Sequence, residues 1–264
     1  MTSALTAVGL PADAPCEPTT GATGELFRVS VGASTYALRL VSAASAVVGV
    51  LATMDAARGA GLPVPALIRQ ADWTNGHALL FEWMSGLSVP EALTRDPSSA
   101  GEMGRQLGIT QRHIHGITAP ASLPRVKDDP FGPPTYPIDS SGLPDGDALL
   151  HLDWHPLNVL VDNGALTAVL DWDNARAGHP YADLARTHTL LTIDPALSQL
   201  SPVERKGVAE LAAGWAAGYG PEASSIPASC LAWAGRAMLR DLAARCSAEE
   251  LAPVRAWTAA HEAA

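Results

Sequence analysis

The sequence predicts an α+β protein in two lobes, a small strand-rich one over residues 1–85 and a larger helical one over residues 86–264. Three observations lead there. The first 85 residues hold four short runs of β-forming residues, punctuated by turn signals and interrupted by one Ala-rich helical stretch. From Gly86 onward, apolar residues recur at three- and four-residue spacing. The 264 residues are 47% hydrophobic and only 17% charged, enough apolar material for one large domain or two modest lobes.

Each element has its own signal. Leu26–Val31 and Thr35–Leu40 read as a hairpin around the turn Gly32-Ala33-Ser34. Residues 42–59 read as a helix stopped by Gly59 and Gly61, with Pro63 and Pro65 closing the segment. Ala66–Ala71 and His77–Trp83 read as two more strands around Thr74-Asn75-Gly76, and the lobes divide near Ser85-Gly86. Met103, Leu107, Thr110, Ile114 and Ile117 line one face of a helix ending near Gly116. Residues 118–146, rich in Pro, Gly and Asp, predict a long irregular connection of the kind that carries function. Asn158–Asp162 and Leu166–Trp172 flank Asn163-Gly164, a strong hairpin signal. Everything after Tyr181 reads as helix, broken near Pro202 and at Gly220-Pro221.

Composition excludes several functions. With 17 basic against 27 acidic residues, the net charge of −10 argues against a nucleic-acid binder, which needs a basic face, and suits a neutral or cationic ligand better. Three cysteines without CxxC spacing argue against a disulfide framework and a structural zinc site. No apolar run has the ~20 residues of a membrane helix, and the first residues lack the basic start of a secretory signal. The expectation is a cytoplasmic protein with no membrane or nucleic-acid partner.

The chemistry concentrates around the predicted hairpin. His151-Leu152-Asp153-Trp154-His155-Pro156-Leu157-Asn158 precedes it, and Leu170-Asp171-Trp172-Asp173 follows. A tight hairpin brings Asn158 at its entry close to Asp171 at its exit. Two converging oxygen ligands fit Mg²⁺, a hard cation that shares its remaining ligands with phosphates. Asp153, five residues before Asn158, is placed to accept a proton from a hydroxyl nucleophile. This is the logic of phosphoryl transfer, where positioning and charge neutralisation supply most of the rate.

The H-x-D-x-x-x-x-N spacing matches the protein-kinase catalytic loop. The longer pattern, with Gly178-His179-Pro180 and Asp183-Leu184-Ala185 after the hairpin, closely resembles the aminoglycoside phosphotransferase family of small-molecule kinases. Leu38-Arg39-Leu40, Gly61–Pro65, Leu79–Gly86 and the spaced Leu107-Gly108 and His115 occur in the family's order. The resemblance spans roughly residues 20 to 190. It implies a two-lobed protein-kinase-like fold and transfer of a γ-phosphate from ATP or GTP, with Mg²⁺, to an alcohol group. It implies that His151 braces the catalytic loop and that Asp183 ties down its backbone. His155 caps the turn or lies near phosphate, and Asp173 is expected to be structural. Arg39 stands where kinases place a phosphate-gripping lysine. Phe81 would line the back of the adenine pocket, with Glu82 and Met84 presenting backbone groups to the base. The small residues of Thr20–Glu25, Gly21 and Gly24 among them, would let backbone N–H groups approach phosphates.

Three expectations follow from departures. No acidic residue lies between Val41 and Met54, so the helix lacks the carboxylate that pairs with the strand cation; Arg39 is expected to be held by nucleotide, unless Asp55, Glu25 or another acid replaces it. Leu152 and Leu157 stand where glycine is common and are expected to narrow the phosphate site. Acidic residues before the catalytic loop, Asp128 and Asp129 foremost, would favour a cationic acceptor such as an aminated antibiotic. The alternative to a kinase is a pseudokinase-like protein that binds nucleotide or ligand without turnover.

Overall fold

A computed structural model describes residues 1–19, 25–42, 44–128 and 138–264, with the backbone alone for 44–46. A five-stranded antiparallel sheet forms the first lobe, in the order β1-β2-β3-β5-β4. Its strands are β1 (Cys16–Pro18), β2 (Glu25–Val31), β3 (Ser34–Val41), β4 (Leu67–Trp73) and β5 (Gly76–Glu82), with α2 (Ala44–Gly59) between β3 and β4. Period-two alternation sends Leu79 and Phe81 of β5 toward α2, and Ala78 and Leu80 to the opposite face. That opposite face is covered by α1 (Thr2–Ala7), whose Ala4 and Leu5 pack with Val29, Leu38 and Leu40. The six-residue α1 was absent from the sequence reading. It lacks a side-chain cap and is held by burial rather than by propensity.

After Gly86 come β6 (Leu87–Ser88), α3 (Val89–Arg95) and α4 (Ala100–His115). Ser88 and Glu91 form a capping box that starts α3. The predicted hairpin is present as β8 (Val159–Asp162) and β9 (Ala165–Val169), and β6 joins it as a third strand. Asn163 and Gly164, at φ 49° and 78°, supply the two left-handed residues that such a turn requires. Strand β9 stops at Val169 rather than Trp172, because Asp171 takes φ 56°. Two short strands, β7 (Ala148–Leu150) and β10 (Arg176–Gly178), pair on either side of the hairpin in sequence.

Helices α5 (Pro180–Thr192), α6 (Pro202–Tyr219), α7 (Ala228–Leu242) and α8 (Ala252–Glu262) complete the chain; the break between α7 and α8 was not foreseen. The backbones of α4 and α6 nearly touch. A Cβ on Gly104 or Gly108 would lie 2.1 Å from the carbonyl oxygens of Leu211 or Trp215, and one on Gly218 equally close to that of Arg105. This close approach brings the last residues of the two helices, His115 and Tyr219, together. One buried cluster runs from α2 and β5 through the hairpin to α4 and α6, so both lobes share a core beside the catalytic loop. Among the described residues no helix is long and apolar enough to cross a membrane.

Candidate active site

Strand β7 delivers the chain into the loop His151–Asn158. Leu152 there has φ 60°, a conformation that costs a non-glycine residue about 1–2 kcal/mol. The turn aims two consecutive N–H groups at one acceptor. His151 and Leu152 both donate to the Asp183 carboxylate, at 3.0 and 2.8 Å. The Leu152 side chain is fully buried with Val126, Leu150, Ala182 and Trp233. It therefore does not narrow a phosphate site, contrary to expectation, and Leu157 stands 62% exposed. Dry packing of Leu152 offsets the cost of its backbone.

Asp183 has a third partner, His115 Nε2 at 2.9 Å, and His115 Nδ1 lies 2.8 Å from the Tyr219 hydroxyl. Burial by itself would raise the Asp183 carboxyl; the hydrogen bonds and charge from His115 and His151 outweigh it and hold the group below its usual range. Burial and the nearby Asp183 push the Tyr219 phenol up, and its hydroxyl shares a hydrogen bond with His115 Nδ1. His115 donates from Nε2 to Asp183. Three donors thus converge on Asp183, two of them from the backbone of the loop His151–Asn158. His115 stood in the sequence pattern without a role, and Tyr219 carried no signal at all.

His151 links the loop to the exit of the hairpin. Its Nε2 donates to the Leu170 carbonyl at 2.9 Å, and its ring is held between Trp154 and Trp172, centroids 5.6 and 4.7 Å away. His155 caps the short turn 156–158, its Nδ1 accepting from the Leu157 N–H at 3.2 Å. Burial pushes its imidazole below the ordinary range. The Asn158 amide nitrogen donates to the Asp153 carbonyl at 3.0 Å and to its carboxylate at 3.2 Å. That orients the Asp153 side chain and leaves the Asn158 amide oxygen as an acceptor. The Leu170 N–H donates to the Asn158 carbonyl at 2.8 Å, so the entry and exit of the hairpin are stitched beside Asp171.

Asp171 occupies the left-handed region, where Asp is among the few side chains tolerated. Burial, then the neighbouring Asp173 and Asp153, push its carboxyl above the usual range. Asp171, with Asp173 and Asp153 near it and the backbone of Asn158 bonded to Leu170, brings oxygen donors of the kind that suit Mg²⁺ to one end of the hairpin. Among the described residues no three His, Cys, Asp or Glu side chains are grouped to hold a metal by themselves. An ion here would rest on Asp171 and Asn158 and complete its shell from substrate and water.

Arg39 corrects the sequence reading. It makes a bidentate pair with Asp173: Nη1 donates to Oδ1 at 2.8 Å and Nη2 to Oδ2. Burial alone would weaken the guanidinium's hold on its proton; Asp173 and Asp171 outweigh it. Asp55, the first acid of α2, pairs instead with Arg58 on the surface at 2.6 Å. The acid that Arg39 engages is thus Asp173 of the second lobe and not one on α2.

The remaining predicted residues scatter around this centre. Phe81 is buried in the shared core, and Glu82 is exposed at the end of β5. The Glu82 N–H is taken by the Ala66 carbonyl at 3.0 Å and is not open to a ligand. Met84 is half-buried in the connection between lobes, next to Trp83, over which the Arg28 guanidinium stacks at 5.2 Å. Gly21, Gly24 and Asp129 lie outside the described residues. Asp128 is exposed, while Asp145 and Asp147 pair with Lys127 and Arg125 at 3.0 and 2.7 Å. Part of the acidic loop is thus neutralised by its own cations.

Comparison with known proteins bears on the fold and the family. No curated protein matches the chain in sequence. Among solved structures, a thermostable mutant of the aminoglycoside phosphotransferase APH(4)-Ia is similar at 17% identity and a TM-score of 0.63, over 94% of this chain and 93% of that one. A microcompartment-associated aminopropanol kinase is similar at 17% identity and 0.63, over 98% and 94%. The macrolide 2'-phosphotransferase MphH of Brachybacterium faecium gives 19% identity and 0.52, over 97% and 95%. These likenesses establish the kinase-like fold. The sequence profile described as the phosphotransferase enzyme family matches residues 17–142 and 141–239, and the chain belongs to that family.

Proposed function

We propose that the protein transfers the γ-phosphoryl group of ATP or GTP to a hydroxyl of a small molecule. Residues 1–85 would form the nucleotide lobe and residues 86–264 the catalytic and acceptor lobe. The observation that carries this reading is that Asn158 is bonded to Asp153 through its amide nitrogen at the end of the β8–β9 hairpin where the Leu170 N–H, next to Asp171, meets the Asn158 carbonyl. Asp153 orients the acceptor hydroxyl and takes its proton as the O–P bond forms. Asn158 and Asp171 hold Mg²⁺, which when bound neutralises charge on the phosphates. Arg39 grips phosphate from β3, and the connection at Glu82–Met84 faces the base. A related aminoglycoside phosphotransferase has been solved in a ternary complex with AMP-PNP and hygromycin B, which supports a nucleotide and a small acceptor meeting in this fold.

The acceptor reading is a hydroxyl compound, with amine-bearing antibiotics and amino alcohols as first candidates. The exposed Asp128 and the net charge of −10 support a cationic one. The test is a panel of aminoglycosides, macrolides, amino alcohols and sugars incubated with MgATP or MgGTP, scoring phosphate transferred to the acceptor. Transfer abolished by Asp153→Ala supports the reading. Tight nucleotide binding with no transfer to any compound would favour the binding-only alternative.

A further inference from the structure

Arg39 lies opposite Leu79 in the β3–β5 register, and Leu79 belongs to the core cluster on the α2 side of the sheet. Leu38 and Leu40, its neighbours, face α1. Alternation therefore puts Arg39 on the face turned toward the hairpin. Its partner is 134 residues away in sequence, and the two side chains are about one-fifth exposed. The pair joins the sheet to the segment that carries Asp171, two residues before Asp173. No other candidate for the role lies on α2, because residues 41–54 hold no acid and Asp55 is turned to Arg58.

We propose that Asp173 is the positioning carboxylate of this site: its bidentate pair with Arg39 sets the guanidinium that grips nucleotide phosphate, a task done by a residue of the second lobe rather than by helix α2. This rests on the phosphotransferase reading above. A planar fork fixed at both nitrogens has lost its rotamer freedom before ligand arrives, so less ordering remains at the moment of binding. The arrangement also makes nucleotide grip depend on the same short segment that presents Asp171. A phosphate contact from the first lobe and a metal ligand from the second are then set by one piece of backbone.

The experiment is a double-mutant cycle on the full chain, with Mg·AMP-PNP affinity measured by titration calorimetry and turnover measured with a confirmed acceptor. Asp173→Asn keeps the shape and removes the charge. It is expected to weaken Mg·AMP-PNP about tenfold, and Arg39→Ala by a similar factor. The double variant is expected to be no weaker than Arg39→Ala alone, because Asp173 acts through Arg39. Asp173→Glu, which keeps the carboxylate, is expected to recover part of the loss. Thermal unfolding of each empty variant separates a folding defect from a binding one, and Asp173→Glu gives a second route if Asp173→Asn unfolds. Wild-type affinity in folded Asp173→Asn would overturn the proposal. So would a loss that persists in the Arg39→Ala background and is recovered by excess Mg²⁺, which would make Asp173 a metal ligand. If wild type itself fails to bind Mg·AMP-PNP, the nucleotide-site reading fails first, and that result is distinct from either.

Discussion

Asp183 and Asp171 are both carboxylates withdrawn from water, twelve positions apart, and the protein treats them in opposite ways. Asp183 is completely buried and receives three donors: two backbone N–H groups of the catalytic loop and His115. Its charge is satisfied from within, and its carboxyl is held low. Asp171 lies among Asp153 and Asp173, and its carboxyl is pushed up. The first carboxylate is saturated and serves as an anchor. The second is crowded with negative charge, a state that an external cation relieves. A buried charge satisfied from within holds structure together, whereas strongly perturbed carboxylates concentrate at functional sites.

The comparison can be broken at four points. The largest effect is expected from Asp183→Asn. It turns one acceptor oxygen into a donor facing N–H groups, and breaking a buried charged pair costs about 3–5 kcal/mol. Because the folded Asp183 titrates below its ordinary value of 3.8, its stabilisation is complete above that value and is lost as pH falls through the folded value. The gap between wild type and Asp183→Asn in chemical denaturation should therefore shrink below about pH 4. A gap that stays constant into that range would mean that Asp183 is not an ionised anchor.

Next is Asp153→Ala, expected to lower turnover by ~100-fold or more while leaving nucleotide affinity nearly unchanged. Single-turnover kinetics beside a nucleotide titration checks both halves; full activity would remove Asp153 from the chemistry. Third, Asn158→Ala and Asp171→Ala should both raise the Mg²⁺ requirement, Asp171→Ala more, because it removes a charge and Asn158 offers a neutral oxygen. Equal Mg²⁺ dependence in both variants and wild type would put the metal elsewhere. The smallest effect is expected at Asp55. Its pair with Arg58 is a surface i,i+3 contact, so Asp55→Ala should change stability by less than about 0.5 kcal/mol and leave nucleotide affinity alone. A clear loss of nucleotide affinity there would return the positioning role to α2.

What could be read from sequence was local or carried by spacing. Asn163-Gly164 announced its hairpin because the turn demands two left-handed residues. Asp153, Asn158 and Asp171 were legible because a hairpin converts sequence spacing into proximity. The strands of the first sheet followed from alternation and turn residues. The Arg39–Asp173 pair was invisible, since nothing local to either residue specifies a partner 134 positions away. Asp55 of α2, nearer in sequence, pairs with Arg58, and the acid beside Arg39 comes from the other lobe. Leu152 misled for a different reason. Its size suggested obstruction, but a left-handed backbone turns its side chain into the dry core between α5 and α7, a direction that residue type does not encode. The helix α1 was missed because six residues without a cap form a helix only when a sheet is there to bury them.

The two left-handed residues that flank the site, Leu152 and Asp171, have a consequence for which substitutions this chain can tolerate. Backbone and chemistry ask for the same thing at position 171: Asp is at home in that conformation and supplies the charge. Asp171→Asn separates the two demands with the smallest change of shape, preserving the backbone while discarding the charge. At position 152 the demands conflict, because the backbone asks for glycine and the core asks for a large apolar side chain. In a saturation library, position 171 should tolerate the fold with Asn or Gly but activity with Asp alone. Position 152 should reject β-branched residues and proline outright, and divide its survivors between glycine, which relaxes the turn, and leucine-like side chains, which fill the core.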